Sequence, residues 1–334
     1  MAFTAIDDSG SYFTVYTWTG DRTSPRSFTG VGFQSNMMWS KSRSQVHETS
    51  LVDTVRGVDG KRLMPDDDNN EDTTNSHGHF DSLDSDGFTI TGAGGYHNVN
   101  TDTETYVGWF WKETATAGFD MVGYTGDGSA RTISHSLSAV PHFMLVKSRT
   151  HDISWRVYHH QNTAAPATDY LELDNTTVTT DSATVWNDTA PTSSVFSVGS
   201  ENNVNQDSTS LIAYLWSEKQ GFSKFGTYLG NNNADGTFVY CGFKPAWVMF
   251  KATGSTQGWV VYDNKRDTFN PLENTFYVNT NEAERDFTGV DFCANGFKHR
   301  SAGGSHNYTD LTYVFVAFAE TPFVNSNGVP CNAV

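Results

Sequence analysis

Large apolar and polar residues alternate with a period of two along much of the chain, in short runs. Phe13-Thr14-Val15-Tyr16-Thr17-Trp18 is one such run, the pattern of a half-buried strand. Gly20-Asp21, Gly30 and Gly57 to Gly60 punctuate the runs as turns. Three runs break the alternation: Tyr106-Val107-Gly108-Trp109-Phe110-Trp111, Leu211 to Trp216, and Tyr313-Val314-Phe315-Val316-Ala317-Phe318. Apolar side chains on both faces predict strands covered on both sides, hence central ones. An Asn-rich turn precedes each run: Asn98-Val99-Asn100, Asn203-Val204-Asn205 and Asn307-Tyr308. Asn suits a turn because it tolerates positive φ and bonds its own backbone. No segment of ten or more residues carries a helical stripe with caps.

The pattern repeats. Tyr124-Thr125-Gly126-Asp127 and Met144-Leu145-Val146-Lys147-Ser148-Arg149 have counterparts 106 residues upstream, Trp18-Thr19-Gly20-Asp21 and Met38-Trp39-Ser40-Lys41-Ser42-Arg43. Tyr228-Leu229-Gly230 and Val248-Met249-Phe250-Lys251 follow 104 residues downstream. The expected fold is all-β: three tandem repeats of a roughly 100-residue, jelly-roll-like β-sandwich unit. The expected boundaries are 1–114 with a polar lead-in, 115–220, 221–320, and a tail at 321–334. The links are short, so neighbouring units must touch. The acidic run Asp66-Asp67-Asp68-Asn69-Asn70-Glu71-Asp72 reads as a solvated loop.

Composition narrows the functional classes. A net charge of −17 argues against a protein that wraps nucleic acid. No apolar stretch is long enough to span a membrane. The start, Met1 to Asp8, has neither a basic leader nor an apolar signal core, which predicts synthesis and assembly in a cytoplasm. Cys241, Cys293 and Cys331 are odd in number and read as reduced thiols.

The candidate chemistry is sparse. Asp84 and Asp86, followed by Gly87, resemble part of a calcium loop but lack its downstream Glu, so they are weak metal candidates. His77-Gly78-His79 and His159-His160 lack ligand partners at zinc spacings and read as surface histidines. Asp53 with Arg56 and Asp263 with Arg266, 210 residues apart, are the candidate ligand or interface residues. Such a pair usually fixes a turn through a charge-assisted hydrogen bond. Lys41, Lys147 and Lys251 end equivalent strands, where snorkelling is the favoured role. Gly92-Ala93-Gly94-Gly95 has no helix after it and is no phosphate cradle. No nucleophile motif or dinucleotide fingerprint is present. No catalytic residue and no cofactor is predicted.

Several segments resemble a family of repeat-containing structural proteins of marine tailed bacteriophages. The carrying residues are Tyr124-Thr125-Gly126-Asp127-Gly128, Trp186 to Phe196, Gly242-Phe243-Lys244-Pro245-Ala246-Trp247-Val248, Asp263-Asn264-Lys265-Arg266 and Pro322 to Pro330. The first repeat departs from the pattern, with Ser35-Asn36 in place of the proline at Pro141 and Pro245. The resemblance implies a non-enzymatic virion protein, a tail fibre or other appendage for host attachment. A capsid decoration or head fibre protein, or a lectin-like carbohydrate-binding module, are the alternatives. The partners so implied are other virion proteins, further copies of the chain with a homotrimer favoured, and host-surface polysaccharide. Nucleic acid and membrane insertion are not expected.

Overall fold

The computed structural model describes residues 4–74, 78–92 and 99–331. His77, Ala93-Gly94-Gly95 and Asn98 lie outside them. The chain is 44% strand and 3% helix, as the period-two pattern predicts. The strands are β1 (Phe13–Thr19), β2 (Arg26–Thr29), β3 (Met37–Ser42), β4 (Ser50–Asp53), β5 (His79–Asp84), β6 (Gly87–Thr91) and β7 (Thr105–Trp111). Next come β8 (Phe119–Thr125), β9 (Arg131–Ser134), β10 (Phe143–Ser148), β11 (Arg156–His159), β12 (Asp169–Glu172), β13 (Thr180–Asp181), β14 (Val195–Val198) and β15 (Ser210–Trp216). The last third holds β16 (Ser223–Leu229), β17 (Phe238–Tyr240), β18 (Phe243–Ala252), β19 (Val260–Asp263), β20 (Leu272–Tyr277), β21 (Arg285–Cys293), β22 (Gly296–His299) and β23 (Thr312–Pro322).

One strand order recurs. The orders β1-β7-β3-β4, β8-β15-β10-β11 and β16-β23-β18-β19 are the same arrangement in three successive segments, the last two within larger sheets. The strands β7, β15 and β23 each lie between two antiparallel neighbours. Their two-sided apolar pattern requires that place, because both faces are covered. In the first segment one face packs against the sheet β2-β6-β5, burying Trp18, Met38, Phe80, Phe88 and Phe110 between them. In the second, β9 and β14 cover Met144, Val146, Leu211 and Leu215 in the same way.

The opposite faces do not meet water. They merge into one core that draws on all three segments. Its centre is aromatic, and equivalent residues of the three central strands meet there. Trp111 packs edge-on to Trp216 at 6.3 Å and to Phe318 at 5.6 Å, and Phe13 stacks on Phe318 at 4.9 Å. The indole nitrogens of Trp111, Trp216 and Trp247 are buried without an acceptor. Edge-to-face packing partly compensates, since the positive ring edge meets a neighbouring π face.

The Asn turns have a physical reason beyond turn propensity. Asn100, Asn205 and Asn307 are fully buried. Each side chain braces the turn that follows the first strand of its segment. Asn205 Oδ1 accepts from Asp127 N at 3.1 Å, while its Nδ2 donates to the carbonyls of Ser129 and Gly199 at 2.6 and 2.8 Å. Asn100 and Asn307 repeat this on Asp21 and Thr23, and on Asn231 and Asn233. The braced backbones approach so closely that a Cβ on Gly126 would stand 2.0 Å from the Gln206 carbonyl oxygen. The corresponding distances for Gly20 and Gly230 are 1.9 and 2.1 Å. Steric contact therefore fixes glycine in the Thr-Gly-Asp turn.

β23 runs on to Pro322 because Thr321 and Pro322 pair with Lys244 and Phe243. Beyond it, Phe323 N donates to Gly242 O, and Ser326 bonds the Asp7 carboxylate of the lead-in at 2.5 and 2.7 Å.

Asn205→Ala leaves several buried backbone groups unpaired and should cost about 2–3 kcal/mol. Urea unfolding measures it, and Gly126→Ala should be destabilised at least as much.

Candidate functional site

The recurring polar residues assemble between segments, in three equivalent seams. In each, a loop N–H of one segment donates to the carbonyl that follows the third strand of the next. Glu71 N bonds Arg149 O at 3.1 Å, Thr179 N bonds Thr253 O at 2.8 Å, and Glu284 N bonds Arg43 O at 2.9 Å. The first segment thus binds the second, the second the third, and the third the first. The cycle is closed.

The three lysines belong to these seams. Lys41, Lys147 and Lys251 are 0–2% exposed, so the snorkelling reading is corrected. Their ammonium groups cap carbonyls across the seam: Thr280 O at 2.6 Å, Asp68 O at 2.8 Å and Thr176 O at 3.4 Å. Burial lowers each to about 8. Two indoles act likewise, Trp155 Nε1 donating to Met64 O at 3.0 Å and Trp259 Nε1 to Glu172 O at 2.7 Å. Lysine and tryptophan at strand ends give no sequence cue to this, because the acceptors are main-chain atoms of a distant segment.

Asp53 and Arg56 lie at the first seam, with side chains fully buried. Arg56 Nε donates to Asp53 Oδ2 at 2.5 Å, and Tyr214 of the second segment donates to the same oxygen at 2.6 Å. Arg56 also reaches Glu71 at 2.8 Å, which in turn takes both ends of Arg149 at 2.9 and 3.0 Å. Burial raises the Glu71 pKa, but Arg149 and Arg56 outweigh it and hold the carboxyl below its ordinary value. Asp263 and Arg266 repeat the pair at the third seam. There Trp109 Nε1 donates to Asp263 at 3.1 Å, and Glu284 binds Arg43 at 2.8 and 2.9 Å. Both pairs fix a turn through Asp Oδ1 and the Arg backbone N–H, and both hold two segments together.

The acidic run is therefore no free loop. Glu71 locks the first seam, Asp66 accepts from Thr49 N at 3.1 Å, and Asp72 pairs with Arg62 at 2.9 Å. The carboxylates of Asp66, Glu71 and Asp72 are bound to cations and amides brought from elsewhere in the fold, while Asp68, Asn69 and Asn70 are exposed as expected.

The second seam lacks the ion pair. Val316 stands where Trp109 and Tyr214 offer donors, and His159 stands where Asp53 and Asp263 accept them. The surface reading of His159 is corrected: it is 1% exposed. Its Nε2 donates to Phe315 O at 3.2 Å and its Nδ1 accepts from Gln161 N at 3.2 Å, a neutral tautomer. His160 donates to Phe225 O at 2.9 Å and packs on His142 with ring centres 4.4 Å apart. Burial, then neighbouring histidine, pushes His159 down to about 3 and lowers His142. Burial lowers His160, against the pull of Phe225 O and Glu218, and Lys224 adds to the lowering.

Asp84 and Asp86 turn to different partners. Asp84 accepts from Ser82 and Thr89 at 2.7 and 2.8 Å, and Asp86 from Gly32 N at 2.6 Å, so each braces a hairpin. His79 does meet carboxylates, which its sequence neighbours did not reveal. Its Nε2 lies 3.2 Å from Asp59 and 2.8 Å from Asp81, and the three ligand atoms fall within 4.8 Å of one another. One imidazole N–H shared between two carboxylates satisfies the same geometry.

Glu71→Ala would strip the buried Arg56 of its outer partner and should cost about 3–5 kcal/mol by chemical unfolding. Glu284→Ala should cost less, because Arg266 Nη1 stands 3.5 Å from it. Acid acts on the second seam. A buried neutral histidine stabilises the fold above pH 6.5, and this is lost as pH falls from 6.5 towards 3. For the fully buried His159 the rate is about 1.4 kcal/mol per pH unit. The melting temperature should fall across that window, and His159→Gln, which does not titrate, should flatten the profile.

No curated protein matches the chain. Residues 8–322 match a family model described as a domain of unknown function (DUF7483), and the chain belongs to that family.

Proposed function

We infer that the protein is a structural component of a phage virion, built as three β-sandwich units closed into a ring, and that it serves as a tail fibre or tail-associated appendage. The closed cycle of seams carries the reading. The polar residues that recur are spent on holding segments to one another, which is the economy of a scaffold. The ring is rigid by construction, because each segment is pinned on two sides by buried hydrogen bonds and charge-assisted contacts. The resemblance of Trp186 to Phe196 and of the tail segment to phage structural proteins supplies the setting. A strongly acidic exterior suits a soluble particle protein that must not adhere to packaged DNA. In this reading the neighbours are other virion proteins and further copies of the chain, and exposed loops meet host-surface polysaccharide.

Mass spectrometry of purified virions should detect the chain, and cryo-EM should place the ring on the tail. The same density reports how many copies associate. Density on the head would make it a decoration protein, and absence from the particle would overturn both versions.

A further inference from the structure

We propose that the third segment carries a binding site for a neutral saccharide, in the cleft beside β19 rimmed by Phe269. This names a ligand for the appendage reading, and it rests on that reading only for the source of the sugar. The cleft has a volume of about 570 Å³ and is lined by Lys244, Asn264, Lys265, Phe269, Asn270 and Glu320, among others. That volume lies within the range of small-ligand sites.

The Phe269 ring is 84% exposed, more than any other large apolar side chain described. A phenyl ring so placed forgoes the burial that aromatic residues ordinarily gain. It is also held there by an ordered loop. The Asn270 side chain both donates to Phe292 O and accepts from Phe292 N, each at 2.9 Å. Asp267 accepts from the backbone of Glu273 and Asn274 at 2.9 and 2.7 Å. The Asp263–Arg266 pair anchors the other end of the loop. The backbone that carries the ring is thus fixed, so binding has only the side chain itself to order.

The Asp–Arg anchor recurs, and the rest of the loop does not. At the offset that aligns Asp263 with Asp53, the counterparts of Asp267, Phe269 and Asn270 are Gly57, Asp59 and Gly60, so the braced loop and its ring belong to the third segment and not to the first. Opposite polarity lies nearby: Lys244 and Glu320 form a half-exposed ion pair at 3.0 Å, and Lys265 is exposed on the same cleft. An apolar face with donors and acceptors of both signs matches a pyranose, whose C–H face stacks on an aromatic ring while its hydroxyls take charge-assisted hydrogen bonds. A polyanion fits poorly, given the −17 charge of the whole chain.

The test uses the full chain with D-glucose, D-galactose and N-acetyl-D-glucosamine by saturation-transfer NMR, followed by an array of bacterial surface glycans. At least one neutral sugar should bind. Phe269→Ala should weaken it about tenfold and leave the melting temperature unchanged, since the ring packs on little. Lys244→Ala should weaken it as well. No binding by folded protein to any sugar or array glycan overturns the site, as does binding that Phe269→Ala leaves intact. Neither result touches the location of the chain in the virion, which is measured separately.

Discussion

Three apolar strands have to share one interior, and the rest of the fold follows from that requirement. Trp111, Trp216 and Phe318 hold equivalent places on strands that are covered on both faces. One face of each strand is covered by its own segment. The other can be covered only by the other two segments, and three sheets presenting such faces to one another close into a ring. Once the ring is closed, the strand ends that carry Lys41, Lys147 and Lys251 leave water. The buried lysines, indole N–H groups and Asp–Arg pairs satisfy the backbone and side-chain groups stranded there.

The seams are alike in backbone and unlike in chemistry. All three use the same loop N–H to carbonyl bond, and all three bury a lysine against a carbonyl. Two add an acid with an aromatic donor and a bridging glutamate. The second seam replaces the acid by His159 and offers no donor at Val316. The two changes match each other, because an aspartate facing Val316 would be a buried acceptor without a partner. An imidazole that donates to a main-chain carbonyl removes the need for one.

How much of this was legible follows from range. The strands and their central members are written in local periodicity, and the Thr-Gly turn with its Asn brace is written twice over, once in each partner. The pairing of Asp53 with Arg56 is local too, three residues apart. Its outer contacts are not: Tyr214 and Arg149 stand far along the chain, and nothing near Asp53 marks them. The same holds for Lys147, whose acceptor is the main chain of Asp68. Part of the acidic run looked solvated because the cations of Glu71 and Asp72 stand 10 to 78 residues away along the chain. Asp84 and Asp86 looked like ligands because a spacing cannot show that hairpin hydroxyls already occupy the one and a backbone amide after β2 the other.

Joining three copies in one chain has a consequence for how such a protein can change. In a ring of three identical chains, any substitution appears three times, and a loop cannot alter at one seam without altering at all of them. Here the position that is Asp59 in one segment is Phe269 in another, and the histidine seam sits beside two acidic ones. Within one chain each segment can differ from the other two at a single position while all three keep the seams that join them.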